Sequence, residues 1–318
     1  MYDGFLFHGL SWETLLMWCV VTLGLIVLNE LTRRFSSVAL VMFLFLPLLL
    51  PFVLWYPHTA TPGTGASTGT WFHWVKVYSA LAGCLGFMFI RYYGEKKSAV
   101  SYKKKAGSPA IPKLLLLFPP FILSVNILEA CIRDFQVYGM HATGQIIDGV
   151  TMISGPWNIM NGIAGILNIL AISGWMGITI SKDKSRDMLW PDMMWFWIIA
   201  YDLWNFAYVY NCVSDHAFYA GAALLVACTI PAFFIKKGAW LQHRAHTLAL
   251  WMMFTMSVPM FVDSPRFGVP ASHDPRALFV VSFVALAVNI AVFVYHLSTI
   301  IKRRRNPLVE TVYPEDLR

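Results

Sequence analysis

Blocks of predominantly apolar residues, each about as long as a hydrocarbon layer is thick, follow one another along this chain. They fall near residues 12–30, 38–56, 71–93, 111–131, 157–180, 190–212, 217–235, 239–262 and 277–301. In lipid every backbone N–H and C=O must be paired within the protein, so blocks of this length form helices. The expected fold is all-α: a polytopic membrane helix bundle of about nine transmembrane helices, making one integral membrane domain over residues 1–318. Composition agrees, since 58% of the residues are hydrophobic and 13% are charged, too few charges to cover a soluble protein of this length.

The connectors read as loops. Residues 57–70 are rich in Gly, Pro and Thr, 94–110 form a basic linker, and 181–187 and 263–276 are polar turns. With the N-terminus outside and the C-terminus cytoplasmic, Lys76, Arg133, Arg266 and Arg276 face outward, and the other 20 of the 24 basic residues face inward. That asymmetry follows the positive-inside rule. The net charge of +7 is therefore a topology signal and an attraction to anionic lipid heads, with no nucleic-acid partner implied. The first block lacks a basic leader and a small-residue cleavage site, so it is expected to stay as a span. Trp12, Trp55, Trp71, Trp74, Trp157, Trp190 and Trp240 lie at expected span ends, where indole favours the interface. Multi-pass insertion in a prokaryotic plasma membrane is the expected location.

Polar groups inside a span are costly and need partners or water. Here they concentrate in the third to sixth blocks. Asn126, Glu129 and Arg133 share one face of the fourth, with Glu129 and Arg133 spaced to pair, and Pro119 and Pro120 are expected to kink it in mid-span. Asn158, Asn161 and Asn168 share a face of the fifth with Gly162 and Gly165. In the sixth, Asp202 is expected near the centre, beside Asn205 and flanked by Tyr201, Trp204 and Tyr208. Lys76 and His73 open the third; Lys76 either snorkels outward or pairs with Glu129 or Asp202. Each of these has a structural alternative, namely helix packing and cross-helix hydrogen bonds.

The remaining motifs point to no chemistry. Five cysteines lie in or near the apolar blocks without metal spacing or a disulfide framework and read as small core residues, a Cys131–Cys212 bridge being the minor alternative. His243 and His246, with Arg244 between them, read as an interfacial cationic turn, and Glu30 with Arg33 and Arg34 as a surface ion pair. No metal site and no cofactor is indicated. Ser214-Asp215-His216 are merely consecutive, whereas a catalytic triad is defined by its meeting in space.

The runs WFHWVKVYSALAGC, PWNIMNGIAGILNIL and YDLWNFAYVYN resemble those of a family of prokaryotic multi-pass membrane proteins known only as a domain of unknown function. That resemblance implies no activity. Microbial rhodopsins do not fit, because the last block has no lysine before Lys302. Seven-span zinc hydrolases of the ceramidase type do not fit either, because the histidine pair and Asp215-His216 are expected on opposite sides.

The leading expectation is a small-solute transporter with its site between the third and sixth blocks. Glu129 and Asp202 would supply negative charge, Asn126, Asn158, Asn161, Asn168 and Asn205 amides, and Tyr201, Trp204 and Tyr208 aromatic faces, with Lys76 and Arg133 nearby. Carboxylates beside aromatic walls suit an organic cation or amine, and a buried carboxylate suits a coupling proton. The alternatives are a receptor, sensor or assembly subunit with structural polar contacts, and an intramembrane enzyme acting on lipid.

Overall fold

A computed structural model describes residues 3–59, 67–93 and 111–314. Lys96, Lys97, Lys103, Lys104, Lys105 and Arg318, which enter the charge asymmetry, lie outside the described residues, as does part of the 57–70 loop.

The first helix, α1 (Trp12–Arg34), starts on a capping box: Ser11 Oγ accepts from the Thr14 N–H at 3.2 Å, and Thr14 Oγ1 accepts from the Ser11 N–H at 3.0 Å. Phe35 is extended and turns the chain into α2 (Ser36–His58), which relaxes into π-helical turns at Val41–Phe45 and Pro51–Thr59. Pro47, Pro51 and Pro57 remove backbone donors along it, and wider turns are one way a helix absorbs that loss. Then come α3 (Trp71–Tyr92) and α4 (Phe118–Met140), the latter preceded by a single turn, Lys113–Leu116. Pro119 and Pro120 therefore occupy the first turn of α4, where a missing N–H costs nothing, and do not kink a span at its middle as the sequence suggests.

A hairpin follows, β1 (Thr143–Ile147) against β2 (Val150–Ile153), turned at Asp148 and Gly149, both with positive φ. Gly149 also abuts Ser67, whose Cα would lie 2.7 Å from an added Cβ. Helix α5 (Pro156–Leu170) is 15 residues long, so it rises ~22 Å, less than a bilayer core of ~30 Å. The expected span over 157–180 is thus corrected. The helix stops at Leu170, and the left-handed Gly174 then donates its N–H to the Pro307 carbonyl at 2.7 Å, tying the chain to the C-terminal segment. A two-residue ladder, β3 (Thr179–Ile180) with β4 (Met188–Leu189), leads to α6 (Trp195–Cys212), α7 (Ser214–Phe234), α8 (Trp240–Ser257) and α9 (Pro275–Arg303).

Among the described residues six helices are long and apolar enough to cross a membrane: α1, α2, α3, α4 with its preceding turn, α7 and α9. The chain is an all-α membrane protein. Outward-facing Leu16, Val20, Leu23 and Val27 on α1, and Phe283, Val284 and Val294 on α9, provide apolar surface for lipid. The more polar α8 is the inner helix, with 16 of its 18 residues buried, packed on α3, α7, α1 and α2. Burial in protein explains how a helix reading WLQHRAHTLALW can sit inside such a bundle.

The two ends of the bundle differ. At one, Arg33 (α1) pairs with Asp187 at 2.6 Å, Arg91 (α3) donates to the Arg33, Ser185 and Arg186 carbonyls, Gln242 (α8) donates to Asp187, and Lys236, just past α7, pairs with Asp183. At the other, residues 5–8 meet 270–272, and the β-hairpin meets 214–215. The expected surface pair of Glu30 with Arg33 and Arg34 forms, yet Arg33 is buried.

The tryptophan belt is corrected as well. Trp12 and Trp71 are exposed, but Trp55, Trp157, Trp190 and Trp240 are buried, their indole N–H groups donating to Ser257, Ile153, Ser173 and Thr229. A buried indole needs such an acceptor.

Candidate functional site

Four helices, α3, α6, α7 and α8, enclose a cavity in the half of the bundle nearer the N-terminus. Its space for water centres is ≈ 50 Å³. Phe72, Leu248, Trp251 and Met252 form apolar walls, and the polar lining comes from His73, Lys76, Asn205, Tyr208, His216 and Arg244. A second, smaller cavity of ≈ 30 Å³ lies further along α3, beside Ser79, Gly83, Asn126 and Tyr201, and Arg244 and Leu248 line both.

Arg244 is the feature that the sequence concealed. It lies one turn into α8 and is 5% exposed. Nε donates toward the Tyr201 hydroxyl at 3.3 Å and Nη2 donates to Asn205 Oδ1 at 3.1 Å, while the guanidinium lies 5.8 Å from the Tyr201 ring centre. Nη1 is buried without a partner, and Arg244 forms no ion pair among the described residues. Its two flanking histidines are also buried: His243 pairs through Nδ1 with Asn29 at 2.8 Å and His246 with Thr32 at 3.1 Å, both on α1. The expected interfacial cationic turn is thus an interior one. The density of polar side chains in WLQHRAH was the available sign, since Gln242, His243, Arg244 and His246 together are costly against lipid.

Lys76 does not snorkel. Its Nζ donates to Glu129 Oε2 at 3.2 Å and to the Asn126 carbonyl at 2.9 Å. Glu129 consequently does not pair with Arg133, which reaches instead to Asp148 at 2.7 Å and Gln136 at 2.9 Å at the end of the bundle. A cross-helix ammonium outcompetes the in-helix guanidinium because the hairpin turn offers Arg133 a carboxylate of its own.

Asp202 faces away from the cavity. Its Oδ2 accepts from Thr229 Oγ1 on α7 at 2.7 Å, and that hydroxyl in turn accepts from the Trp240 indole at 3.2 Å. Neither Asp202 nor Glu129 lines either cavity. The carboxylate-lined site expected from the sequence is therefore corrected: the ionisable lining is basic.

The amides of α5 serve a different residue. Asp134 on α4 is fully buried and accepts from Asn158 at 3.1 Å, Asn161 at 2.7 Å and the Cys212 thiol at 3.3 Å, linking α4, α5 and α6. Asn168 donates to Asn289 on α9 at 2.8 Å, and Trp204 donates to the Asn161 carbonyl at 3.1 Å. Asn158, Asn161, Asn168 and Trp204 are thus helix-to-helix contacts outside the cavity. Cys131 and Cys212 are free thiols.

Beyond His73, the cavity ends near a cluster on the loops. Ser67 Oγ donates to Asp263 at 2.5 Å and lies 2.8 Å from His216 Nε2, and His73 packs on His216 with ring centres 6.1 Å apart. Burial would raise the Asp263 carboxyl, but hydrogen bonds from His216 and Ser67 outweigh it and hold the group below the usual carboxylate range. Asp263 sits on the Nε2 side of His216, the side that Ser67 occupies, so the arrangement lacks the acid on Nδ1 that orients a catalytic base. The Ser214-Asp215-His216 string disperses: Ser214 bonds the Thr151 carbonyl, Asp215 pairs with His273 at 3.1 Å, and His216 takes Ser67.

The chain belongs to a family described as "Family of unknown function (DUF5692)", which matches residues 8–317. The resemblance seen in its sequence is thus shown over nearly the whole length. No curated protein and no solved structure matches it.

Proposed function

We propose that this protein carries a small polar solute across a membrane along the path between α3, α6, α7 and α8. The observation behind this is that two cavities lie in series, with Arg244 and Leu248 as their shared wall. Together they follow α3 from Phe72 to Phe87, a rise of ~22 Å within a layer of ~30 Å. Two cavities in series with one partition suit a solute path that movement of α8 would open to one side or the other. The void beside the unpartnered Arg244 Nη1 supports this reading over a purely structural network.

In this reading the chain passes nine times between the two faces, with α6, α8, and α5 together with the buried non-helical segment that follows it as inner passes beside the six apolar helices. The end carrying Arg33, Arg91, Arg186 and Lys236 faces the cytoplasm, in keeping with the positive-inside rule, and the membrane is the plasma membrane.

Flux of small labelled solutes into liposomes holding the purified full chain tests the proposal. Saturable uptake above protein-free liposomes is expected, together with loss of uptake in Leu248→Trp, which fills the partition between the two cavities. Saturable binding without any flux would replace transport by a receptor or sensor role.

A further inference from the structure

We infer that the solute held in this cavity is a small monoanion of the carboxylate type, bound by Arg244. This rests on the transport reading and adds the charge and size of the cargo.

Charge is the first consideration. The charged or chargeable side chains lining the cavity beside Phe72 and Trp251 are His73, Lys76, His216 and Arg244, with no carboxylate among its walls. Lys76 already has a carboxylate, Glu129. Arg244 forms no such pair: its hydrogen-bond partners are the neutral Tyr201 hydroxyl and Asn205 carbonyl, and the Asp202 carboxylate acts on it only at a distance, without contact. Arginine remains protonated in proteins, so it cannot escape burial by losing its charge. Neutral acceptors solvate a guanidinium without cancelling it, and breaking up a buried charge pair is among the costlier changes a protein can suffer. An anion arriving in the cavity supplies the missing charge.

Unspent hydrogen bonds are the second consideration. Arg244 Nη1 and the Tyr208 hydroxyl are both buried, both without a protein partner, and both belong to residues lining this cavity. A carboxylate accepts several hydrogen bonds and donates none, which matches a site left with spare donors. An ammonium ligand would find no carboxylate on these walls.

Size and wall chemistry narrow the class. A volume of ≈ 50 Å³ for water centres holds roughly three to four waters, so a carboxylate with a methyl or ethyl group fits and a sugar acid does not. Phe72, Trp251 and Met252 offer apolar surface for the alkyl end.

The test uses detergent-purified full chain in sodium MOPS, with thermal shift and tryptophan fluorescence read against acetate, formate, chloride and choline. Acetate and formate are expected to stabilise the protein saturably, and choline is not. Arg244→Gln should weaken acetate binding about tenfold or more, the usual loss when a charged hydrogen-bond donor is removed. If Arg244→Gln fails to fold, Tyr208→Phe answers instead: it removes a hydroxyl that bonds nothing in the protein, and should weaken acetate several-fold. Chloride binding as tightly as acetate overturns the carboxylate assignment. Saturable choline binding without acetate binding overturns the anion inference and leaves transport standing. Absence of binding and of flux for probes of both charges overturns both.

Discussion

Lys76 Nζ on α3 lies 3.2 Å from Glu129 Oε2 on α4, and this single pair neutralises one of the two strong bases beside the cavity, while Arg244 has no ion-pair partner among the described residues. The ammonium is only 8% exposed and the carboxylate 19%. Breaking such a pair leaves a buried charge alone, whereas removing both partners does not. Glu129→Gln should therefore lower stability by about 3 kcal/mol. Lys76→Met combined with Glu129→Gln should regain most of it. Denaturation of the three variants in mixed micelles checks this, and a double variant no more stable than Glu129→Gln counts against the pair.

Asp134 is the junction of α4, α5 and α6. In Asp134→Ala the amide N–H groups of Asn158 and Asn161 lose their acceptor inside the bundle. Each unsatisfied group costs about 1–3 kcal/mol, so the melting temperature should fall sharply. Asp134→Asn, which keeps one carbonyl acceptor, should fall less. Equal melting temperatures for the two would contradict this role.

Glycines separate close packing from open surface. An added Cβ on Gly165 would lie 2.4 Å from Cys131 Sγ and 2.6 Å from the Trp204 indole nitrogen, whereas one on Gly24 meets nothing within 4 Å. Gly165→Ala should destabilise by about 1–3 kcal/mol through overpacking. Gly24→Ala, in the middle of α1, should be neutral or stabilising by about 0.5–1 kcal/mol. A pair of melting curves decides.

Acid should loosen the loop cluster beyond the cavity. Burial works to raise the Asp263 carboxyl, but the His216 and Ser67 hydrogen bonds win and lower it, so its value in the folded protein is below that of the unfolded chain. A group lowered on folding contributes stability that is complete above the unfolded value, about 4, and that disappears as the pH falls through the folded value. Melting temperature should drop as pH falls below about 4, and Asp263→Asn should flatten that limb. An unchanged acid limb in Asp263→Asn would assign the effect to other carboxylates.

The legibility of this chain follows from which forces are local. Lys76, Asn126, Asn205, Tyr201 and Tyr208 all border the cavities, because polar side chains inside apolar helices are rare enough to stand out singly. Partner choice did not stand out. Glu129 is four residues from Arg133, yet it takes Lys76, and Asp202 takes Thr229. Arg244 lies near a helix end, where sequence alone points to the interface, and Asp134 lies near the end of an apolar block, where a carboxylate carries no signal of burial. The three asparagines of α5 did announce a need for acceptors, without saying that two would turn to α4 and one to α9.

By itself the sequence determined that this is a helical membrane protein, where most of its long apolar helices lie, and that Arg33, Arg91, Arg186 and Lys236 gather at one end. Each of these depends on residues within one helix length, on hydrophobicity, caps and glycine or proline breaks. The tertiary structure alone decided the sign of the site. Arg244 faces the cavity and Asp202 faces Thr229 because of how α6, α7 and α8 are rotated about their axes. That rotation is settled by packing across helices distant in the chain, and no spacing within a single helix encodes it.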